Sequence, residues 1–471
     1  MNIVFTHGYF LEEDPKEKLI MRPYPPLGIL YISAYLEENG FPNSVFDSTF
    51  SSLEGLKNFL LRERPHVIGI YTNLMTKLNV LKIISFIKVT VSLKHTKIIL
   101  GGPEIRNHKE KFLQFGADVI VFGEGEDTML DLVKAYSKDG NPDLYNLPGT
   151  AFMDQNKNII TNPERILIKD INHLPFPGRE KINLQKYFDT WKKHHGISMI
   201  NLNTMRGCPY SCKWCSRAVY GSSYRRRSPK LVVDEIQYLK ENYDFDMIWF
   251  VDDVFTINHK WLKEFVVEIQ ARQLKVPYEI ITRADRLNEE AIQLLQQSGC
   301  FRVWIGAESG SQKIIDAMDR RVKVEDVRKM IQLVKSYGIE AGTFIMLGYP
   351  GEDEADIKET LHHLKTSEPD HYTITVAYPI KGTPLYTEVE NLFTQDLAWD
   401  QSTDRDIDFI RTYNRKYYDH AINWIHYEML YHKRKKNLSS VILKLKSLNE
   451  RKKMKQEKTR HLRRTELNKF N

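Results

Sequence analysis

The chain has 471 residues, of which 42% are hydrophobic, 11% aromatic and 27% charged. That balance belongs to globular proteins and excludes disordered, collagen-like and disulfide-stapled classes. The formal charge of +7 is uneven: Lys433 to Asn471 holds 15 Lys/Arg against 3 Asp/Glu, a local +12 that leaves the remainder at −5. No apolar run approaches the ~18 residues needed to span a bilayer. The first ten residues lack the basic and apolar regions of a signal peptide. A cytoplasmic protein without a membrane span is therefore expected, with two or three domains at about 150 residues each.

In chain order, the first 140 residues alternate short β-branched runs with amphipathic stretches. Asn2–Phe5, Ser44–Asp47, His66–Tyr71, Lys97–Leu100 and Val119–Phe122 read as strands. Gly28–Asn39, Leu53–Arg62, Leu78–Val91 and Thr128–Ser137 read as helices. This alternation predicts βαβ units and a parallel sheet, whose ligands sit at the carboxyl ends of the strands. Two glycine-bearing turns follow strands there, Gly101-Gly102-Pro103-Glu104 and Gly123-Glu124-Gly125-Glu126. On their own they are compatible with plain tight turns.

Residues 141–195 read as an ordered connector, punctuated by Leu147-Pro148-Gly149 and Leu174-Pro175-Phe176-Pro177-Gly178, with a hairpin turn at Asp154–Lys157. A second alternating series fills residues 196–385. Its strands are Ser198–Asn203, Asp246–Phe250, Tyr278–Thr282, Arg302–Gly306, Glu340–Met346 and Tyr372–Ala377. Its helices are Ser228–Tyr243, His259–Arg272, Glu289–Gly299, Val324–Gly338 and Glu354–Ser367. Repeated β-then-α units predict a partial or complete (β/α) barrel with its site at the strand carboxyl ends. From 386 onward the pattern is helical. Tyr413, Tyr417, Trp424, Tyr427 and Tyr431 fall at helical spacing and read as a packing face. The basic segment from Lys433 reads as a solvated, partly frayed helix.

Four cysteines cannot frame a disulfide scaffold in so long a chain. Cys208, Cys212 and Cys215 lie within eight residues, directly after the first strand of the second series, whereas Cys300 stands alone and reads as a small buried residue. Clustered thiols point to metal chemistry in a reducing compartment. Iron–sulfur clusters and zinc both favour thiolates. A structural zinc site wants four ligands, and only His194 and His195 are at hand to complete one. Three thiolates on a cubane would instead leave one iron open, which catalysis at a metal requires.

The segment Met205-Arg206-Gly207-Cys208-Pro209-Tyr210-Ser211-Cys212-Lys213-Trp214-Cys215 resembles the CxxxCxxC loop of the radical S-adenosylmethionine (SAM) superfamily. The resemblance implies that Cys208, Cys212 and Cys215 are the catalytic metal ligands of a 4Fe–4S cluster, flanked by Tyr210 and Trp214. SAM would chelate the fourth iron, and an electron from the cluster would cleave it to methionine and a 5′-deoxyadenosyl radical. Asp252, Arg283, Glu308 and Gly348, each at a strand end, would contact SAM: Asp252 by polar contacts, Arg283 at the carboxylate, Glu308 at the ribose or amino group, and Gly348 in the turn beside the adenine.

The first domain also resembles a family. Pro25-Pro26-Leu27-Gly28, the two glycine turns, LPGT and LPFPGRE look like the cobalamin-binding subfamily of radical SAM proteins over residues 1 to about 390. The implied fold is α/β: a Rossmann-like cobalamin-binding domain (1–140), the connector, a radical SAM partial barrel (196–385) and a helical region with a basic tail (386–471). Gly101, Gly102, Gly123, Glu124 and Gly125 would line the corrin. The Asp-x-His-x-x-Gly motif for a lower cobalt ligand is absent, and His7 and Asn73 stand near strand ends as substitutes. Two chemistries follow from this resemblance: methyl transfer to an unactivated centre, or oxidative cyclisation as in the anaerobic magnesium-protoporphyrin monomethyl ester cyclase group. Either needs a small-molecule substrate and a reductant such as flavodoxin or ferredoxin. An RNA-modifying enzyme would use the basic tail, but the extra cysteines of tRNA methylthiotransferases are missing before Cys208. A cobalamin- or SAM-responsive sensor is the non-enzymatic alternative.

Overall fold

The computed structural model describes residues 1–434 and 438–467. It divides into two compact units: Met1–Tyr210 with Ser216–Asp252 and Leu397–Arg405, and Ser211–Cys215 with Asp253–Asp396 and Asp406–Asn471.

The first unit is organised by a seven-stranded sheet of β1 (Ile3–His7), β2 (Ser44–Phe46), β3 (Val67–Tyr71), β4 (Lys97–Gly101), β5 (Val119–Val121), β6 (Thr150–Met153) and β7 (Ile159–Thr161), in the order β2-β1-β3-β4-β5-β6-β7. The first five strands pair in parallel. The inner strands β3, β4 and β5 are Val/Ile-rich because both faces are covered. Alternate residues go to opposite cores. Val4, Ile68, Ile70, Ile98 and Leu100 pack with Leu56, Ile84 and Phe112. Phe5, Val67, Ile99 and Val121 pack with Ile29, Leu36, Met129 and Val133 on the other side. Helices Leu53–Glu63, Lys77–Val89 and Lys109–Phe115 thus cover one face, and Leu27–Glu38 and Glu126–Lys138 the other.

The predicted hairpin turn is present, with Asp154 accepting the Asn158 N–H at 2.7 Å. The hairpin is not a free strap. β6 pairs antiparallel with β5, and β7 with β6. The first sheet therefore runs on to Thr161. The connector also holds an unpredicted helix, Leu184–His195, which buries Tyr187, Phe188 and Trp191.

The second series supplies β8 (Met199–Leu202), β11 (Met247–Phe250), β12 (Tyr278–Thr282), β13 (Cys300–Glu308), β14 (Glu340–Leu347) and β15 (His371–Val376). Within the first unit β8 pairs in parallel with β11, and within the second β12 to β15 form one parallel ladder. Parallel strands with helices between them are the repeated β-then-α units that the sequence predicts. Side-chain caps set the intervening helices: Ser228 opens Pro229–Asn242, Asn258 opens His259–Ala271, and Asp353 with Asp356 forms a capping box on Glu354–Ser367. A two-stranded pair, β9 (Met205–Arg206) with β10 (Arg225–Arg226), closes the base of the cysteine loop.

Helix Arg415–Lys433 buries Tyr417 and Trp424 of the predicted stripe, and also Tyr418, which lay outside it; Tyr427 and Tyr431 are only half-buried. The basic segment departs from expectation. Leu438–Leu467 is a long helix, and as far as Arg460 it is no frayed, solvated tail. Ser447 and Met454 are buried, and Glu450 pairs with His420 of the preceding helix at 2.7 Å. Among the described residues no helix is long and apolar enough to cross a membrane.

Candidate active site

In the first unit, the carboxyl ends of β3, β4 and β5 frame a cavity of about 260 Å³. Phe5, Gly69, Ile99 and Val121 line it from the sheet, and Ile29, Ile32 and Met129 from the helices. All five glycine-turn positions predicted to line a cofactor are in its wall: Gly101, Gly102, Gly123, Glu124 and Gly125. They do different things. A Cβ at Gly102 would sit 2.4 Å from the Thr72 carbonyl oxygen, and φ is +109°, so this glycine permits a close backbone crossing. Gly101 and Gly123 have no neighbour closer than 3.8 Å and keep the rim open.

Glu124 is not held out as a ligand. Its carboxylate accepts from Arg206 (2.9 Å) and Arg225 (2.6 Å), while Glu126 takes the other arm of Arg206 at 2.5 Å. Arg206 is 3% exposed and lies over the rings of Tyr31 and Tyr220. Composition and spacing gave no sign of Arg206 or Tyr220 as cavity residues, because an arginine's partner across 80 residues has no local signature. Neither substitute for the missing histidine motif is available. His7 is buried with Nε2 on Asp47 (3.0 Å) and Nδ1 on the Tyr9 N–H (3.2 Å). Asn73 Oδ1 caps the N–H groups of Met75 and Thr76. Tyr71, at the end of β3, does line the cavity, and burial pushes its phenol up to about 12.

Asp252 is a buried brace in the first unit. It accepts from the N–H groups of Thr204 and Met205 and from the Thr204 hydroxyl, with Arg226 at 3.6 Å. Burial raises its carboxyl despite Arg226. Tyr210, half-buried in the same unit, takes the Arg217 guanidinium on its carbonyl.

In the second unit, Cys212 is buried and its sulfur faces two guanidinium groups, Arg283 at 3.7 Å and Arg320 at 3.6 Å. Charge-assisted donors beside a sulfur suit the anionic form in which cysteine binds metal. Arg320 was not anticipated; it also spans to the Gly306 carbonyl (3.0 Å), to Glu308 (3.9 Å) and over the ring of Trp214. Glu308 has φ +67°, and the β13–β14 ladder shifts register between Gly306 and Glu308. Such a bulge re-aims a side chain at a sheet end, and the left-handed backbone is a strained setting seen at functional sites. Burial lifts the Glu308 carboxyl above its ordinary range, opposed by Arg320 and Arg283.

Gly348 turns at φ +74° with its N–H on Glu352 (2.5 Å) and its carbonyl on Arg411 (3.1 Å). Burial pushes the Glu352 carboxyl up to about 8. Cys215 is exposed and donates its N–H to the Cys212 carbonyl; Cys208, in the first unit, is half-buried. Cys300 is buried at the start of β13, where burial raises its thiol. Among the described residues no three Cys, His, Asp or Glu side chains are already gathered as a metal site. The donor set still fits an iron–sulfur cluster: three thiols on one loop, one of them seated against two cations. For cobalamin, the glycine rim leaves room at the strand ends, beside a wall that is apolar apart from Glu124, Glu126, Arg206 and two tyrosines.

The model of the B12 binding domain matches residues 21–133, and that of the radical SAM superfamily matches residues 202–364. The chain is 27% identical over 385 residues to an uncharacterized methyltransferase of Pyrococcus horikoshii, covering 79% of this chain and 80% of that protein. It is also 27% identical over 402 residues to the anaerobic magnesium-protoporphyrin IX monomethyl ester cyclase of Cereibacter sphaeroides, covering 83% of this chain and 64% of that one. In fold it is similar to the cobalamin-dependent SAM radical enzyme OxsB with aqua-cobalamin bound (TM-score 0.74, 18% identity, 94% of this chain and 70% of that one). With both domain models matched in this order, the chain carries a B12-binding domain followed by a radical SAM domain.

Proposed function

We propose that the protein transfers a methyl group to an unactivated centre of a small molecule, using a 4Fe–4S cluster, SAM and cobalamin. When bound, the cluster with SAM supplies a 5′-deoxyadenosyl radical for C–H activation, and cobalamin supplies a methyl carrier. Cys208, Cys212 and Cys215 would hold the cluster. Arg283 and Arg320 offset negative charge at Cys212, Glu308 offers an aimed carboxyl group for SAM, and Glu352 with Arg411 fixes the Gly348 turn. Gly101 and Gly123 would admit the corrin, while Glu124 and Glu126 act as anchors for Arg206 and Arg225. A flavodoxin or ferredoxin in the cytoplasm would deliver the electron.

The observation that carries this reading is the glycine-rimmed cavity on a chain that also bears the cluster motif; similarity to a methyltransferase over 385 residues supports it. The cyclase similarity, over 402 residues, supports oxidative cyclisation as the competing chemistry. Extract incubated with reconstituted, dithionite-reduced protein and methyl-labelled SAM separates the two. Label appearing in a small molecule is expected. Formation of 5′-deoxyadenosine with no label transferred would replace methyl transfer by cyclisation, and ligand binding without SAM cleavage would leave only a sensor.

A further inference from the structure

The helix Leu438–Leu467 packs one face on helix Arg415–Lys433 through Ser447, Glu450, Met454 and Glu457, all buried. The opposite face begins apolar. Val441, Ile442, Leu445 and Leu448 are 59%, 56%, 61% and 50% exposed, and their spacing puts them on about one stripe of the helix. Four adjoining aliphatic side chains in water are a cost that a free surface does not normally carry. One helical turn further on, the same face continues as Lys452 and Lys455, both exposed, and no Asp or Glu is exposed between 441 and 460. The two acidic residues of that stretch, Glu450 and Glu457, are turned inward.

Beside the stripe lies a cavity of about 270 Å³ lined by Lys358, Lys365, Lys444 and Arg451 around a single carboxylate, Glu428, with Leu448 at its edge. Lys365 and Lys444 share that carboxylate at 2.6 and 2.8 Å, so the cations of the groove outnumber the anions lining it.

An aliphatic stripe bordered by lysines and a cationic groove matches one kind of partner: a surface that is apolar below and anionic above. We propose that this face is a peripheral docking surface for an anionic phospholipid bilayer. The aliphatic stripe enters the interface and the lysines meet the headgroup phosphates. Nucleic acid would complement the lysines but leave the stripe in water, and a second copy of this chain would oppose lysine to lysine. The proposal is independent of the reaction assigned above.

Flotation of the full reconstituted chain with phosphatidylcholine vesicles containing 30% phosphatidylglycerol tests it. The protein should float with these vesicles, remain behind with pure phosphatidylcholine, and lose about tenfold or more in binding when salt is raised from 0.05 to 0.3 M. Val441→Asp with Leu445→Asp should weaken binding about tenfold or more. Lys452→Glu with Lys455→Glu should do so by about 10- to 100-fold. Both pairs are on the surface and should leave 5′-deoxyadenosine formation unchanged. Absence of flotation with the anionic vesicles, or equal flotation of both variants, overturns the proposal. So does a dimer that Val441→Asp with Leu445→Asp dissociates while flotation persists unaltered, or retention on structured RNA in place of vesicles.

Discussion

Around the cavity of the first unit the charged side chains satisfy one another. Arg206 and Arg225 are spent on Glu124 and Glu126, and the wall is otherwise glycine, aliphatic and aromatic. Around Cys212 of the second unit they are aimed at a sulfur, by Arg283, which also pairs with Asp285 at 2.8 Å, and by Arg320, which lies 3.9 Å from Glu308. The first arrangement is finished before any ligand arrives, because strand ends fix it. The second is a loop whose cysteines differ in burial from exposed to buried and whose charge pattern anticipates an anion. A preformed slot and a ligand-completed site are thus expected to respond differently to substitution.

The sharpest break between them comes from the cysteines. Alanine at Cys208, Cys212 or Cys215 should reduce iron from about four per reconstituted chain to background and abolish 5′-deoxyadenosine, while hydroxocobalamin uptake persists. Retained SAM cleavage in all three variants would remove the cluster assignment. Arg206→Ala tests the opposite region. Leaving Glu124 and Glu126 buried without their shared cation should cost about 3–5 kcal/mol in denaturant unfolding of the apoprotein. Gly101→Leu places a side chain in the open rim without demanding a left-handed backbone. A clash of about 1–3 kcal/mol would weaken cobalamin uptake by about 5- to 150-fold, with iron content unchanged.

The smallest effect is a pH slope. Glu352 is raised from the ordinary glutamate range to about 8 in the folded chain. Between those values the folded state holds a proton that the unfolded state has lost, so this group's contribution is full below the unfolded value and declines as pH rises towards 8. The slope is about 1.4 kcal/mol per pH unit. Glu352→Gln should flatten the fall of Tm between pH 5 and 8; an unchanged slope would show that burial does not hold this proton.

Much of this was legible in the residues. Val/Ile runs separated by helix-length stretches mark both sheets, since a strand covered on two faces has no polar alternation to obscure it. The two glycine turns lie at strand ends and line a cavity there, as their sequence positions suggest. What escaped is long-range pairing. Asp252 looked like a free carboxylate at a strand end, yet Thr204, Met205 and Arg226 occupy it. Arg320 lies 108 residues from Cys212, a separation no local pattern encodes. The basic segment looked solvated because its lysines dominate its composition; the few inward residues, Ser447, Met454 and Glu457, decide its packing.

The hairpin β6–β7 has a practical consequence. A piece of this protein cut at residue 140, where the alternating pattern stops, would strip β5 of its antiparallel neighbour and leave Val119–Val121 as a bare hydrophobic border. Such borders recruit other chains. Expression of the cobalamin-binding half on its own should therefore extend past Thr161, and the shorter cut should be the one that precipitates.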